Sequence, residues 1–277
     1  MLTHQADVNT RDKNWQAPLH ICAMYNSVEC AELLIQHMSN VDLTDRQGRS
    51  ALAHASFNGH IEMAQLLLDH GANANIHDKQ ERKPIHWASY VGYIEIVKLL
   101  VNNGADVNSL DKELYTPLLV ACASGKSEEI ISLLIDMGAD TSATTIHDSS
   151  IFHLACLNGH DQIVKLLLNN YDLKIKTNSK GYHPMHYAAG CKLGAFCLEL
   201  LVSLDVDVNI CSFFDGRIPM HVAAMHGRTS CAQVLVSNGS QIDVKDSDGN
   251  TPLHLAASHG QTSMIKFLID CGSNIYM

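Results

Sequence analysis

Apolar and polar positions along this chain of 277 residues follow one pattern many times over. A short stretch begins with a small or extended residue, continues with proline and an apolar residue, and closes on alanines and a glycine. A second stretch places apolar residues at helical spacing before another glycine. The last copy reads DGNTPLHLAASHG from Asp248 to Gly260, then TSMIKFLI from Thr262 to Ile269. Thr251 suits a helix N-cap, because its hydroxyl can accept a bond from an orphan backbone N–H, and Pro252 suits the first turn, where a missing N–H costs nothing. Leu253, Ala256 and Ala257 supply an apolar surface small enough for close helix packing, and His254 lies within reach of the Thr251 hydroxyl. Gly260 ends the helix in the left-handed conformation that glycine adopts cheaply. The second stretch keeps the 3.6-residue period of a helix and stops at Gly272.

The matching tetrapeptides are APLH from Ala17, SALA from Ser50, KPIH from Lys83, TPLL from Thr116, SIFH from Ser150, HPMH from His183, IPMH from Ile218 and TPLH from Thr251. They are separated by 33, 33, 33, 34, 33, 35 and 33 residues. Self-similarity at this period, carrying T-P-L-H-x-A, resembles ankyrin repeats, in which each unit buries its apolar face only against its neighbours. The expected fold is all-α, an ankyrin-repeat solenoid of helix-turn-helix units joined by β-hairpin tips. The register gives repeats at 12–44, 45–77, 78–110, 111–144, 145–177, 178–212, 213–245 and 246–277. Residues 1–11 match the tail of a truncated repeat, so the chain is expected to be a piece of a longer array, with lower hydrogen-exchange protection over 1–45 and 246–277.

Departures from the pattern carry information. Ala53 and Leu119 stand where the other copies have histidine, which predicts a local loss of that hydrogen bond. The one extra residue of repeat 4 and the two of repeat 6 are expected between the helices, in GKSEEIISLL from Gly125 and AAGCKLGAFCLELL from Ala188. Tyr171-Asp-Leu and Leu204-Asp205-Val replace a glycine-containing turn, so this region is expected to be the least regular.

Composition narrows the function classes. The chain holds nine cysteines without a C-x-x-C pair, and Cys22, Cys122 and Cys156 fall at small-residue positions of the first helix, which predicts buried thiols in a cytoplasmic or nuclear protein. A net charge of −10 argues against nucleic acid as a partner. No apolar run approaches the roughly 18 residues of a membrane-spanning helix, so no direct membrane insertion is expected. His20, His86, His153, His186, His221 and His254 share one pattern position, so their recurrence reads as structural, with no metal or cofactor expected. No G-x-S-x-G, Gly-rich phosphate loop or H-E-x-x-H motif is present, and the chain is not expected to be an enzyme.

In the ankyrin family, recognition uses the hairpin tips and the exposed end of the first helix. Aromatic and arginine side chains, the types enriched at interface hot spots, crowd those places in the first three repeats. Tyr25, Phe57 and Tyr90 on the helices, with Arg46, Arg49 and Arg82 at the tips, are the protein-binding candidates. Trp15 and Tyr115 extend the tip row. The competing reading makes the tyrosines helix cover and the arginines solvated tips. The family also implies hydroxylation candidates at Asn75, Asn108 and Asn209, each with a leucine eight residues upstream (Leu67, Leu100, Leu201). The alternative is that these side chains only bridge the hairpin backbone.

Four segments add a finer resemblance: ADVNTRDKNWQAPLH from Ala6, NGHIEMAQLLLDHGANAN from Asn58, KPIHWASYVGYIEIV from Lys83, and LGAFCLELLVSLDVDVNI from Leu193 followed by IPMHVAAMHGR. In these the chain resembles the regulatory ankyrin repeat subunits of serine/threonine-protein phosphatase 6. That resemblance implies a scaffold whose partners are the phosphatase 6 catalytic subunit and SAPS-domain subunits. The other class considered is an ankyrin adapter, such as a membrane-skeleton linker or the cytosolic array of a larger channel or enzyme.

Overall fold

A computed structural model describes residues 7–38, 40–171 and 173–276. Part of the expected repeat tail, residues 1–6, and Asp172 of the irregular turn lie outside the described residues. The chain divides into two compact units, Met1–Thr141 and Ser142–Met277. In the N-terminal unit the first helices of successive repeats are α1 (Pro18–Tyr25), α3 (Ala51–Asn58), α5 (Pro84–Val91) and α7 (Pro117–Ser124), paired with second helices α2 (Val28–Ile35), α4 (Ile61–Asp69), α6 (Ile94–Asn102) and α8 (Glu128–Asp136). The C-terminal unit has first helices α9 (Ile151–Asn158), α11 (Pro184–Gly190), α13 (Pro219–Met225) and α15 (Pro252–Ser258), with second helices α10 (Asp161–Asn170), α12 (Ala195–Val202), α14 (Thr229–Ser237) and α16 (Thr262–Asp270). Within each unit, first helices pack on first helices and second on second. Leu19, Leu52, Ile85 and Leu118 are buried on the first layer, and Met63, Leu67, Ile96 and Leu100 on the second. Helices of two turns are too short to stand alone in water, so this shared apolar layer holds them.

In repeats 3, 5, 6 and 7 the repeating histidine ties its repeat to the next, whereas His20 in repeat 1 accepts only from the Ala17 N–H at 3.1 Å among the described residues. The Lys83 N–H donates to Nδ1 of His86 at 3.1 Å, satisfying a helix-end donor. The other ring nitrogen, Nε2, donates to the carbonyls of Ser109 and Tyr115, both at 3.1 Å. His153 reaches the Tyr182 carbonyl at 3.0 Å, His186 that of Arg217 at 3.0 Å, and His221 that of Asn250 at 3.1 Å. Burial pushes the pKa of each of these four rings down, which keeps them neutral and able to accept at one nitrogen while donating at the other.

Where Leu119 stands, the cap is kept by another route, since the Thr116 hydroxyl accepts from the Leu119 N–H at 3.2 Å. In repeat 2 the Ser50 hydroxyl caps the Ala53 N–H in the same way. The imidazole there has moved one residue on: His54 Nε2 donates to the buried Asp45 carboxylate at 3.1 Å.

Tips are closed by the side chain at their first position. One carboxylate oxygen of Asp45, Asp78, Asp111 or Asp246, or the amide oxygen of Asn178, accepts from the backbone N–H groups two and four residues on. Among the described residues the only strand-type pairing is a single bridge between Thr44 and Ser50. Successive tips are joined through backbone bonds, Lys79 N–H to Gln47 and Lys112 N–H to Gln80.

The extra residue of repeat 4 lies between its helices, as expected: Gly125 to Ser127 separate α7 from α8, where Gly92 and Tyr93 suffice between α5 and α6. The two extra residues of repeat 6 are split. One lengthens the connection from α11 to α12, and the other sits in the following tip. That tip closes by Ser212 N–H to Arg217 carbonyl, one residue wider than Asp111 to Tyr115. Ser212 replaces the tip aspartate, and Phe213 and Phe214 stand exposed on the widened turn. The turn at Asp205 keeps the left-handed conformation, with φ 56° on an aspartate, a residue that tolerates it through local side-chain bonding. At Tyr171 the chain leaves α10 extended instead.

Candidate functional site

Register places Arg49, Arg82 and Tyr115 at the end of three successive tips, and His54, Trp87 and Val120, then Phe57, Tyr90 and Ala123, along three successive first helices, each set 33 residues apart. In repeats 2 and 3 the tip arginine folds back on its own aspartate. Arg49 Nη2 is 3.0 Å from Asp45 Oδ2, and Arg82 Nη2 is 3.0 Å from Asp78 Oδ2. Both carboxylates are buried. Burial raises the pKa of Asp45, but the Arg49 backbone N–H and guanidinium outweigh it and hold the carboxyl below its usual range. Burial and the same guanidinium push His54 down to about 4; with Asp45 already compensated by Arg49, the imidazole stays neutral beside it.

Repeat 3 is bulky. The Arg82 guanidinium lies over the Trp87 ring at 4.1 Å, Phe57 meets Trp87 edge to face at 5.5 Å, and Lys126 Nζ lies over the Tyr90 ring at 4.3 Å. Such contacts contribute roughly 0.5–1 kcal/mol each when exposed. Repeat 4 is small at the same places, with Val120 and Ala123. Between the two opens a cleft of about 510 Å³ walled by Phe57, Trp87, Tyr90 and Tyr115, floored by Val120 and Ala123, and rimmed by Arg82, Asp111 and Glu113. Its volume falls in the range of pockets that take a small organic ligand, which leaves room for a large side chain.

Of the residues singled out in the sequence, Phe57, Arg82, Tyr90 and Tyr115 come together here. Tyr25 stands apart on the end of α1 and is 73% exposed. Trp15 is 57% exposed, occupies the left-handed tip position with φ 63°, and has the Arg11 guanidinium 5.9 Å from its ring. Arg46 is exposed on the outer turn of its tip, its N–H bonded to the Asn14 carbonyl, and Arg49 is committed to Asp45. Asp111 and Glu113 bring charge and Val120 and Ala123 bring missing bulk, so the pattern of aromatic and arginine side chains at tips and helix ends does not mark any of the four. Trp87 also forms a wall of the cleft, and its indole N–H is buried without an acceptor among the described residues.

The asparagine side chains bridge successive repeats. Asn75 Nδ2 donates to the Gly104 carbonyl at 2.7 Å while its Oδ1 accepts from Asp106 N–H at 3.2 Å. Asn108 makes the same pair with Gly138 and Asp140, and Asn209 with Gly239 and Gln241.

Among the described residues no helix is long and apolar enough to cross a membrane. Cys22, Cys122 and Cys156 are buried free thiols.

Comparison with known proteins follows the repeats. The nuclear factor NF-kappa-B p105 subunit of Gallus gallus is 31% identical over 127 residues, 45% of this chain and 13% of that protein. The tyrosine-protein kinase Shark of Drosophila melanogaster is 31% identical over 125 residues, 44% of this chain and 13% of its own length. The target of rapamycin complex 2 subunit AVO2 of Saccharomyces cerevisiae is 31% identical over 110 residues, 38% of this chain and 25% of its own. This chain thus spans between 13% and 25% of the length of these relatives. Residues 1–78, 70–145, 141–211 and 191–277 each match the family profile of ankyrin repeats in three copies. Ankyrin repeats are generally non-catalytic modules that bind other proteins. With paired short helices, histidine-stapled tips and the family profile matched along its whole length, this chain belongs to the ankyrin repeat family.

Proposed function

We propose that this protein is a non-catalytic scaffold that docks a partner in the cleft walled by Phe57, Trp87, Tyr90 and Tyr115, and that it serves as a regulatory or targeting subunit of a phosphatase 6 type complex. The observation that carries the docking reading is the cleft itself, an open aromatic recess of about 510 Å³ on a face built from helix ends and tips. Aromatic walls supply large contact area with few rotors to freeze, which is why such residues dominate interface energetics. The phosphatase reading rests on the segment resemblances at Ala6, Asn58, Lys83 and Leu193, and names the phosphatase 6 catalytic subunit and SAPS-domain subunits as partners. A cytoplasmic or nuclear location accords with the buried free thiols.

The test is affinity capture from cell extract with the wild-type chain and with a Phe57→Ala, Tyr90→Ala double variant of matched thermal stability. Phosphatase 6 and SAPS-domain proteins are expected with the wild type and depleted at least fivefold with the variant. The purified chain alone is expected to show no phosphatase activity. Capture of membrane-skeleton proteins instead would place the chain among adapters of the other class. Equal capture by both chains would remove the cleft from the docking surface.

A further inference from the structure

The cleft in the N-terminal unit has an electrostatic feature that its aromatic walls do not explain. Three successive tips carry an aspartate at the same place, Asp45, Asp78 and Asp111, and each uses Oδ1 to close its own turn. In the first two, the second oxygen receives a guanidinium from the residue four positions on. In the third that residue is Tyr115, and Asp111 has no ion pair among the described residues. Glu113, on the same tip, lines the same cleft and is likewise unpaired among the described residues. Of the cations around the cleft, Arg82 is engaged with Asp78 and Trp87 and Lys126 with the Tyr90 ring, while Lys112, between the two carboxylates in sequence, is exposed and makes no ion pair with either among the described residues. Tyr115 registers the excess negative charge: burial first, then Glu113 and Asp111, push its phenol above the usual range.

The protein therefore displays, one repeat away, what its vacant position would accept. In repeat 3 a guanidinium lies over an aromatic ring and bonds a tip carboxylate. In repeat 4 the carboxylate and the aromatic walls are present, Val120 and Ala123 leave the space, and the guanidinium is missing. We infer that the cleft binds an arginine side chain on an extended segment of a partner protein, its guanidinium paired with Asp111 and Glu113 and its plane stacked on the aromatic wall. Arginine is chosen over lysine because a planar fork can stack and bond a carboxylate at once, whereas an ammonium is a compact, strongly hydrated point charge. The apolar walls fit aliphatic neighbours of that arginine. The inference rests on the docking reading of the cleft and names the anchor that the partner brings.

Two tryptophans make the test direct, since Trp87 lines the cleft and Trp15 does not. An acetylated, amidated peptide Gly-Gly-Leu-Arg-Leu-Gly-Gly is titrated into the ¹⁵N-labelled chain, following both indole N–H signals. Parallel titrations replace the arginine by citrulline, its neutral isostere, and by lysine. The arginine peptide is expected to shift the Trp87 signal and leave Trp15 in place, with the citrulline and lysine peptides at least tenfold weaker. Asp111→Asn combined with Glu113→Gln should erase the preference for arginine over citrulline. That variant keeps its tip, because an asparagine closes the equivalent turn at Asn178. Tyr115→Arg installs the internal guanidinium that repeats 2 and 3 already have, and should abolish arginine-peptide binding while the melting temperature holds or rises.

Equal affinity for the citrulline peptide overturns the arginine anchor and leaves the cleft as a docking site. The anchor also falls if no peptide shifts Trp87 at millimolar concentration while capture from extract still depends on Phe57 and Tyr90. Undiminished arginine binding by Tyr115→Arg places the peptide elsewhere and has the same consequence.

Discussion

Each unit has a cleft beside a tyrosine at the end of a tip, and the two differ in how the neighbouring tip is satisfied. In the C-terminal unit the cleft, about 360 Å³, is lined by residues that include Tyr182, Tyr187, His226 and Arg228. The Tyr182 hydroxyl donates to Asp215 of the next tip at 2.6 Å, and the Ser212 hydroxyl donates to the same carboxylate. Arg217 Nε lies 3.4 Å from Asp215 and 3.2 Å from the buried Asp246. Arg228 is held by the Gly190 carbonyl at 2.9 Å. Charges there are consumed internally, and burial together with Asp215 lifts the Tyr182 phenol to about 12. Around Tyr115 the carboxylates of Asp111 and Glu113 have no such partners among the described residues. The same tyrosine position thus belongs to a closed network in one unit and to an open rim in the other, and the open one is the better place for a charged partner.

Acid should separate the two units most strongly. Buried neutral histidines with lowered pKa bind protons only on unfolding, so their contribution is present above pH 6.5 and lost as the pH falls toward the folded value. His183, pushed to about 4 by burial, His186 and His153, adds to the lowered His153, His186 and His221 in the C-terminal unit. The N-terminal unit has His20, His54 and His86. Each such group contributes a slope of up to about 1.4 kcal/mol per pH unit between pH 6.5 and its folded pKa. Hydrogen exchange followed by mass spectrometry between pH 7 and 4.5 should show protection falling first in α9 to α15. Loss beginning in α1 to α7 would reverse the assignment.

A second expectation concerns the closed network. Arg217→Ala leaves the buried Asp246 and the half-buried Asp215 without their cation and should cost about 2–3 kcal/mol, below the full cost of breaking a buried pair because Arg217 is partly exposed. Tyr182→Phe, which strips a charge-assisted bond from Asp215, should cost about 1–2 kcal/mol. Tyr115→Phe should stay within about 0.5 kcal/mol. Urea titrations that rank Tyr115→Phe above Tyr182→Phe would break the contrast between the clefts.

A third expectation concerns the tip backbone. Trp15, Glu81 and Leu114 hold the left-handed position with φ near 60°, as Asp148 does in the C-terminal unit, whereas glycine holds it at Gly48, Gly181, Gly216 and Gly249. A side chain there costs roughly 1–2 kcal/mol. Leu114→Gly should therefore stabilise by about 1 kcal/mol, and Gly249→Ala, with open space around the added carbon, should destabilise by a similar amount. Thermal melts of the two variants check both signs.

Much of this was legible in the residues. Thr251, Pro252, His254 and Gly260 act within a turn or two of themselves, so capping, first turn and helix stop can be read from their order. The two extra residues of repeat 6 could be counted, but placing both between the helices is wrong for one of them, because a spacing sums over a repeat and does not say where within it a residue is added. Only the widened closure from Ser212 to Arg217 showed that one of them lies in the tip. Ala53 pointed to a missing imidazole, while the structure put His54 on Asp45, a pairing nine residues apart that no template position encodes. Half of the interface candidates met in one place and half did not, since Phe57, Tyr90 and Tyr115 are neighbours only through stacking of repeats.

The sequence by itself determined the repeat, its two helices, its caps and its tip aspartates, because these depend on backbone hydrogen bonds and apolar spacing over short range. Tertiary structure alone decided which tip carboxylate is neutralised and where a cavity remains. Those properties belong to three repeats at once: the guanidinium absent beside Asp111 and the bulk absent at Val120 and Ala123 have meaning only against the Arg82, Trp87 and Tyr90 that stacking sets beside them.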